Sequence, residues 1–171
     1  MMSGLLAAFL DRPRLVGLVL AAASAAMLVG AFYFQYVEGL QPCPLCIAQR
    51  WAHAASLAIG LVLALGIGGP RWWRPWLAVL MLAFLAGAGI AAYHVGVEQE
   101  LIDSAFCGTG GGADTIEALK AELMETDVAR CDEIPWSLFG ISMAGYNVIV
   151  SLLLAAVALW ALVRGPAKEA P

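Results

Sequence analysis

The chain is organised around the segment Gln41-Pro42-Cys43-Pro44-Leu45-Cys46-Ile47-Ala48-Gln49-Arg50, which lies between two long apolar segments. Its two cysteines are separated by two residues. Such a C-x-x-C motif can be a redox-active dithiol, half of a zinc site or a haem attachment point. Haem attachment requires a histidine directly after the second cysteine, and this chain has Ile47 there. The rest of the sequence must therefore distinguish a redox pair from a zinc site.

The composition indicates a membrane protein. Of the 171 residues, 62% are hydrophobic and 13% are charged, whereas a soluble domain has about 45–50% apolar and about 25% charged residues. The mean hydropathy is +0.83. The length is enough for one small bundle, so residues 1–171 are expected to form a single membrane domain that contacts the lipid bilayer and no nucleic acid.

Four apolar segments predict an all-α, integral membrane four-helix bundle. They cover residues 15–36, 46–67, 76–95 and 143–163, and each is close to the roughly 20 residues that a spanning helix needs. The loops cover about 37–45 and 96–142. The first segment could be a signal peptide, but it exceeds the usual apolar length of about 7–15 residues, and its aromatic end is typical of a membrane interface. An uncleaved helix is favoured.

The distribution of basic residues predicts the orientation. Four spans place both termini and the loop between helices two and three on one side, which carries Arg12, Arg14, Arg71, Arg74, Arg164 and Lys168. The loop 96–142 has only Lys120 and Arg130, against ten acidic residues. The positive-inside rule therefore predicts cytoplasmic termini. All four cysteines then lie at the other face, in a compartment that permits disulfides.

The other two cysteines argue against zinc. A structural zinc site needs four closed ligands, commonly from two C-x-x-C or Cys/His pairs. Cys107 and Cys131 are instead isolated, 24 positions apart. Two disulfides, Cys43–Cys46 and Cys107–Cys131, are the simpler interpretation, and no metal is expected.

The position of the motif favours a reactive pair. A C-x-x-C disulfide closes a very short loop and adds little entropic stability. Pro44 suits the first position of a helix with Cys43 as its cap, which places Cys46 in the first turn, where unpaired N–H groups stabilise a thiolate. Arg50, one turn further, would lower the thiol pKa again. Alternatively, Arg50 reaches out to lipid headgroups, and His53 is a packing histidine.

The third segment ends in Tyr93-His94, at the same membrane face as Cys46. His94 and Arg50 could therefore converge near one thiolate just below the membrane surface. An electron acceptor that reaches this point from the bilayer must be lipid-soluble, and a quinone fits. Its oxygens gain negative charge on reduction, which a cation and a hydrogen-bond donor would stabilise.

The large loop carries a second predicted element. Asp114-Thr115-Ile116-Glu117 is similar to a capping box and predicts a helix over about 114–125, either on the membrane surface or packed within the loop. Cys107 stands beside a glycine tract. A mobile loop with an accessible disulfide suits thiol exchange with a partner protein.

These features together resemble the disulfide-bond formation protein B (DsbB) family, the quinone-linked membrane oxidases of the bacterial periplasm. The resemblance covers nearly the whole chain. It consists of the four spans, the Cys43-x-x-Cys46-x-x-x-Arg50 element, Tyr93-His94, the two loop cysteines and the stretch Cys131-x-x-x-x-Trp136-x-x-x-Gly140. In two places the chain departs from the family pattern: Gln49 replaces an acidic residue often found there, and the glycine tract is a local variation.

The resemblance implies an enzyme, a protein-dithiol:quinone oxidoreductase of the inner membrane. Cys107 would form the mixed disulfide with a periplasmic, DsbA-like thioredoxin-fold dithiol oxidase, and Cys131 would complete that exchange. Cys43 would reoxidise the loop pair, and Cys46 would pass electrons to ubiquinone or menaquinone. The quinone site would include Arg50, His94 and Met143.

Three rival hypotheses remain. A non-catalytic interaction protein would use the same cysteines as inert structural disulfides. A membrane thiol-electron exporter would need cysteines within the spans or on the cytoplasmic side, where the sequence has none. A relative of the vitamin K epoxide reductases would be expected to carry its C-x-x-C near the last helix.

Overall fold

The computed structural model describes residues 11–103, 116 and 130–165. Its four long helices are α1 (Pro13–Tyr36), α2 (Pro44–Ala64), α3 (Trp73–Glu98) and α4 (Met143–Arg164). All four are long and apolar enough to cross a membrane, so the predicted all-α four-helix membrane bundle is confirmed. A short antiparallel hairpin, with strands β1 (Ser137–Leu138) and β2 (Ile141–Ser142), directly precedes α4.

The helices begin at residues suited to helix starts. Pro44 occupies the first turn of α2, and the Cys43 Sγ atom accepts the backbone N–H of Cys46 at 3.2 Å. The predicted capping role of Cys43 is therefore confirmed. At the start of α4, the Ser142 hydroxyl accepts the backbone N–H of Gly145 at 3.1 Å. Both caps satisfy N–H groups that a helix end leaves free.

Two helix boundaries differ from the sequence prediction. Helix α2 ends at Ala64 rather than at residue 67, because Gly66 adopts a φ of 68°, a left-handed conformation that ends a helix. Helix α3 is longer at both ends than 76–95 and includes Pro75, which the first turn of a helix tolerates. Its extra C-terminal turn places Glu98 one turn after His94.

Neighbouring helices pack in chain order. The pairs α1–α2, α2–α3 and α3–α4 are in close contact, whereas α1 and α4 touch much less. Glycines allow the closest approach, between α1 and α2. A Cβ atom on Gly17 would lie 2.8 Å from Leu63 Cγ and 2.9 Å from the Gly60 carbonyl oxygen. Such small-residue contacts are the usual basis of helix packing in membranes.

Two buried clusters mark the ends of the bundle. The larger lies at the end that holds the start of α1 and the end of α4, and includes Val16, Leu20, Leu63, Leu77, Leu80 and Phe84. The smaller lies at the opposite end and consists of Cys43, Leu45, Val97 and Cys131. The outer faces expose large apolar side chains such as Leu18, Val29, Leu82, Leu153 and Val163. A lipid environment accounts for that exposure.

The hairpin before α4 was not predicted from the sequence. Its two-residue loop, Phe139-Gly140, has positive φ at both positions (51° and 77°), as a type I′ turn requires. Trp136, just before the hairpin, packs against Phe34 of α1 with ring centroids 5.0 Å apart. The hairpin therefore lies between the ends of α1 and α4. Of the helix predicted over 114–125, Ile116 is helical, and the other positions lie outside the described residues.

Candidate functional site

The cysteine pair lies at the start of α2, in the smaller buried cluster. Cys43 and Cys46 are free thiols with their Sγ atoms 2.9 Å apart. Cys43 is buried, with 3% of its surface exposed, and Cys46 is half-buried. The structure therefore describes the dithiol form, and the Cys43–Cys46 disulfide stays a prediction.

Hydrogen bonds favour a thiolate on Cys43. When Cys43 is ionised, the S–H of Cys46 donates to its sulfur, and this bond is the largest cause that lowers the pKa of Cys43, to about 4. Burial opposes the shift, while His94, whose Nε2 lies 3.6 Å from the sulfur, and the Cys46 backbone N–H add to it. The position of Cys46 in the first turn of the helix had predicted the thiolate on Cys46 instead. The difference arises because Cys43, at the cap position, accepts from the Cys46 S–H, from His94 and from the Cys46 backbone N–H, and the side-chain bond from Cys46 is the largest of these contributions.

His94 connects the pair to α3. It is buried at 4% exposure, and its Nδ1 atom lies 2.9 Å from Gln49 Nε2. One turn further along α3, the Glu98 carboxylate lies 3.9 Å from His94 Nε2 and accepts a hydrogen bond from the Ser142 hydroxyl. His94 is thus next to the cysteine pair, as the sequence analysis expected, with Cys43 as its direct partner.

Arg50 is bound to the end of α1. Its guanidinium donates to the Gln35 side-chain oxygen and to the Ala31 carbonyl, the latter at 3.1 Å. It also lies over the Phe32 ring, 5.2 Å from the centroid. These three contacts hold the cation against α1, where it lines the same cavity as Cys46.

One cavity brings most of the predicted site residues together. It has a volume of about 370 Å³, and Cys46, Arg50, His94 and Met143 all line it. Its walls are largely apolar and come from α1, from the segment before α4 and from α4, including Met27, Ala31, Phe34, Trp136 and Leu138. Cys43 lies behind Cys46 and is not part of the lining. The two sulfurs therefore differ in position: Cys46 faces the cavity, and Cys43 faces His94.

Several polar residues at the site were not assigned from the sequence. His53 lines the cavity; its Nε2 atom lies 2.8 Å from Asn147 Oδ1, and its Nδ1 atom has no hydrogen-bond partner among the described residues. Asn147 also donates to Gln49 Oε1 at 2.6 Å. Glu98 lies four residues after His94, a spacing that places both on one helix face. Polar groups inside apolar segments were the available signal, since such groups are costly and usually functional.

Cys131 is fully buried and disulfide-bonded, and it belongs to the same cluster as Cys43. Its predicted partner, Cys107, lies outside the described residues. Among the described residues, Cys43, Cys46 and His94 offer three potential ligand atoms within 4.8 Å of one another. A closed zinc site requires four. The expectation that the protein uses no metal stays a prediction.

The fold and the site define a multi-pass membrane protein with a thiol pair at one end of its helix bundle. The model of one family, Disulfide bond formation protein DsbB, matches residues 13–161. The chain belongs to the DsbB family, and the resemblance stated from the sequence is confirmed. Membership supports a general role as an oxidoreductase in disulfide-bond formation.

Individual relatives extend over most of the chain. A disulfide bond formation protein B of Acidovorax sp. is 32% identical over 156 residues, which cover 90% of this chain and 89% of the relative. The corresponding protein of Aromatoleum aromaticum is 31% identical, with coverage of 92% and 95%. That of Nitrosococcus oceani is 35% identical, with coverage of 82% and 85%.

Proposed function

We propose that this protein reoxidises a periplasmic, DsbA-like thioredoxin-fold dithiol oxidase and passes the electrons to ubiquinone or menaquinone in the membrane. Its activity is that of a protein-dithiol:quinone oxidoreductase. The observation that carries the proposal is the cavity of about 370 Å³ in which Cys46, Arg50, His94 and Met143 meet. A thiol, a cation and apolar walls in one cavity are what electron transfer from a dithiol to a lipid-soluble ring requires.

The residues of the cavity fit a quinone. Its walls are largely apolar, and Arg50 supplies a fixed cation on one side. His53 supplies a buried Nδ1 atom that has no hydrogen-bond partner in the described part of the chain, which suits a ring hydroxyl. A bound quinone supplies a two-electron, two-proton acceptor. Arg50 would stabilise negative charge on a ring oxygen, and the few contacts between α1 and α4 suit entry from the lipid.

The cysteines would act in two exchanges that balance. A partner thiolate attacks Cys107 and releases Cys131 as a thiolate; the second partner thiol then resolves the mixed disulfide, so the partner is oxidised and the loop pair is reduced. The loop dithiol next reduces the Cys43–Cys46 disulfide and is itself reoxidised. The Cys43–Cys46 dithiol finally loses two electrons and two protons to the quinone and becomes a disulfide again. Cys131 lies in the same buried cluster as Cys43, which supports the second exchange.

The proposed location is the bacterial inner membrane, with both termini in the cytoplasm and the cysteines at the periplasmic face. Arg14 and Arg164 lie at one end of the bundle, together with Arg71 in the α2–α3 loop and Arg74 in the first turn of α3. The cysteine pair lies at the other end. This distribution follows the positive-inside rule.

The test is an assay of quinone reduction. Purified protein is mixed with a reduced thioredoxin-fold dithiol oxidase and a short-chain ubiquinone, and quinone absorbance is followed. The expected result is stoichiometric loss of quinone that Cys46→Ser abolishes. No quinone consumption by the wild type, or full activity of Cys46→Ser, would overturn the proposal and favour inert structural disulfides.

A matched pair of arginine variants separates quinone binding from partner binding. Arg50→Ala is expected to raise the apparent KM for quinone about tenfold or more, because it removes a cation and its hydrogen bonds from the cavity. The KM for the dithiol partner is expected to stay within about twofold. Arg74→Ala, at the opposite end of the bundle, serves as the control. An unchanged quinone KM in Arg50→Ala would contradict the proposed site.

A further inference from the structure

A continuous series of buried side-chain hydrogen bonds leads from Cys43 into the middle of the bundle. His94 Nε2 lies 3.6 Å from Cys43 Sγ, and His94 Nδ1 lies 2.9 Å from Gln49 Nε2. Gln49 Oε1 is 2.6 Å from Asn147 Nδ2, and Asn147 Oδ1 is 2.8 Å from His53 Nε2. All four polar side chains are at most 6% exposed. The series therefore joins α2, α3 and α4 through polar contacts inside an apolar bundle.

The partners fix the direction of every bond in this series. Gln49 Nε2 also lies 3.2 Å from the Leu45 carbonyl oxygen, which can only accept, so the Gln49 amide nitrogen must face both Leu45 and His94. Its oxygen then faces Asn147 and must accept from the Asn147 amide nitrogen. Asn147 Oδ1 in turn accepts from Ser151 and His53. An amide has one donating and one accepting end, so each step determines the next.

The direction of these hydrogen bonds determines the tautomer of His94. Because Gln49 donates to Nδ1, that atom of a neutral His94 carries no proton, and the ring hydrogen must be on Nε2. Nε2 is the atom that faces Cys43 Sγ. We propose that Gln49 and Asn147 are positioning residues that hold His94 in the Nε2–H tautomer, so that it donates to the Cys43 sulfur.

The series is better suited to orientation than to proton transport. Side-chain amides are not acids or bases near neutral pH, so a proton cannot pass through Gln49 and Asn147 by successive transfers. Buried polar groups are costly unless each is satisfied. Gln49 and Asn147 use both ends of their amides within the series, so they specify one arrangement, here one tautomer of one histidine. Its use in catalysis rests on the proposed function, but the direction of the hydrogen bonds does not.

Asn147→Asp is the informative variant, because it reverses the donor-to-acceptor direction of the hydrogen bonds from residue 147 to His94. The new carboxyl, ionised at the alkaline pH at which the spectra are recorded, can only accept, and His53, Ser151 and the Gln49 amide nitrogen can all donate to it. Gln49 then turns its oxygen toward His94 and gives up its hydrogen bond to the Leu45 carbonyl, and His94 must place its hydrogen on Nδ1. The Nε2 lone pair would face Cys43 and favour the protonated thiol.

The measurement is direct, because the chain contains only two histidines. Nitrogen-15 shifts of histidine-labelled, reduced protein in detergent distinguish the two neutral tautomers, and a His53→Phe variant assigns the signals. The expected result is an Nε2–H tautomer of His94 in the wild type and an Nδ1–H tautomer in Asn147→Asp. The same tautomer in both proteins, or an Nδ1–H tautomer in the wild type, would overturn the proposal.

The second readout is the thiol of Cys43. Its titration is followed through the shift of labelled cysteine Cβ. The groups that face this sulfur are the Cys46 thiol and His94, with Glu98 and the Cys131 backbone beside His94. Asn147→Asp is expected to shift the Cys43 equilibrium about tenfold toward the thiol, the effect of losing one hydrogen bond to a charged group. A merely structural role for Asn147 would leave this titration unchanged.

Two further variants complete the test. Ser151→Ala removes one donor to Asn147 Oδ1 without reversing any bond, and both readouts are expected to match the wild type. Gln49→Glu places an acceptor directly at Nδ1; if Asn147→Asp fails to fold, a hydrogen on Nδ1 in Gln49→Glu supports the proposal and its absence refutes it. No quinone or partner protein is in the sample. Failure of the proposed function would therefore leave these results intact.

Discussion

The low pKa of Cys43 depends on a single S–H donor, and that dependence can be measured. Replacing Cys46 by alanine removes the bond that contributes most to the shift, while the Cys46 backbone N–H and His94 remain as donors. A hydrogen bond to a charged group contributes about 1.5–3 kcal/mol, and one pKa unit corresponds to about 1.4 kcal/mol. The pKa of Cys43 should therefore rise from about 4 by roughly one to two units in Cys46→Ala.

Cys46→Ser is the matched comparison, because its hydroxyl keeps a donor at the same position. The assay is the thiolate absorbance near 240 nm, recorded from pH 3 to 8 with the Cys131 disulfide left intact. We expect the titration of Cys46→Ser to remain near that of the wild-type Cys43 and that of Cys46→Ala to move upward. If Cys43 titrates at the same midpoint in the two variants, the assignment of its pKa shift to the side-chain hydrogen bond is refuted. If that shared midpoint lies above the wild-type value, the sulfur atom of Cys46 itself lowers the pKa of Cys43.

Three further outcomes follow from the structure. In the reduced protein, the pKa of Cys43 (about 4) lies below that of an unfolded cysteine (about 8.5). The thiolate therefore contributes stability that is complete above about pH 8.5 and lost as the pH falls to about 4. The melting temperatures of the wild type and of Cys43→Ser should converge at low pH. A difference in melting temperature that does not change with pH would contradict this. Gly60→Leu should destabilise the α1–α2 contact by about 1–3 kcal/mol, since even a Cβ there would lie 3.0 Å from the Gly17 carbonyl. Gly89→Ala, with open space around it, should be neutral, and equal melting temperatures would disprove the close contact. Ser142→Ala should cost about 1–3 kcal/mol, because α4 loses its cap and a buried carboxylate loses a donor; thermal unfolding no different from that of Ser137→Ala would argue against it.

Local rules predicted the start of α2 correctly. A proline preceded by a residue with an acceptor side chain specifies a helix start through interactions within four residues, and the structure has Pro44 in the first turn and Cys43 as the cap. The four apolar segments could be predicted equally well, because their length and lack of charge reflect the bilayer rather than any tertiary contact. The fold class follows from these two kinds of local information.

The detailed environment of each site residue was harder to predict from the sequence. The sequence placed Arg50 one turn from Cys46, and the two residues do line one cavity, but the hydrogen bonds of Arg50 to Gln35 and Ala31 on α1 were not predicted. The bond from Asn147 to Gln49 joins residues 98 positions apart. Such pairs depend on helix rotation and crossing, which small-residue packing decides and which one helix alone does not encode.

The end of α3 shows a different limit. The sequence ended the third apolar segment at residue 95, where the hydropathy falls, and treated Glu98 as part of the following loop. The helix continues through Glu98 because its polar last turn is buried against the start of α4, where the carboxylate accepts the Ser142 hydroxyl. Tertiary contact thus overrides a boundary drawn from hydropathy.

In the proposed function the cap of α2 is also a redox atom, which would link electron transfer to the stability of a helix end. In the dithiol form, the Cys43 sulfur accepts the Cys46 amide with the charge of a thiolate, which makes the bond stronger than a neutral one. In a disulfide the sulfur would keep its lone pairs but lose that charge, so the first turn of α2 would be held less firmly. Hydrogen exchange at the Cys46 amide would then be slower in the reduced protein than in the oxidised protein. A single backbone position would report the redox state of the pair.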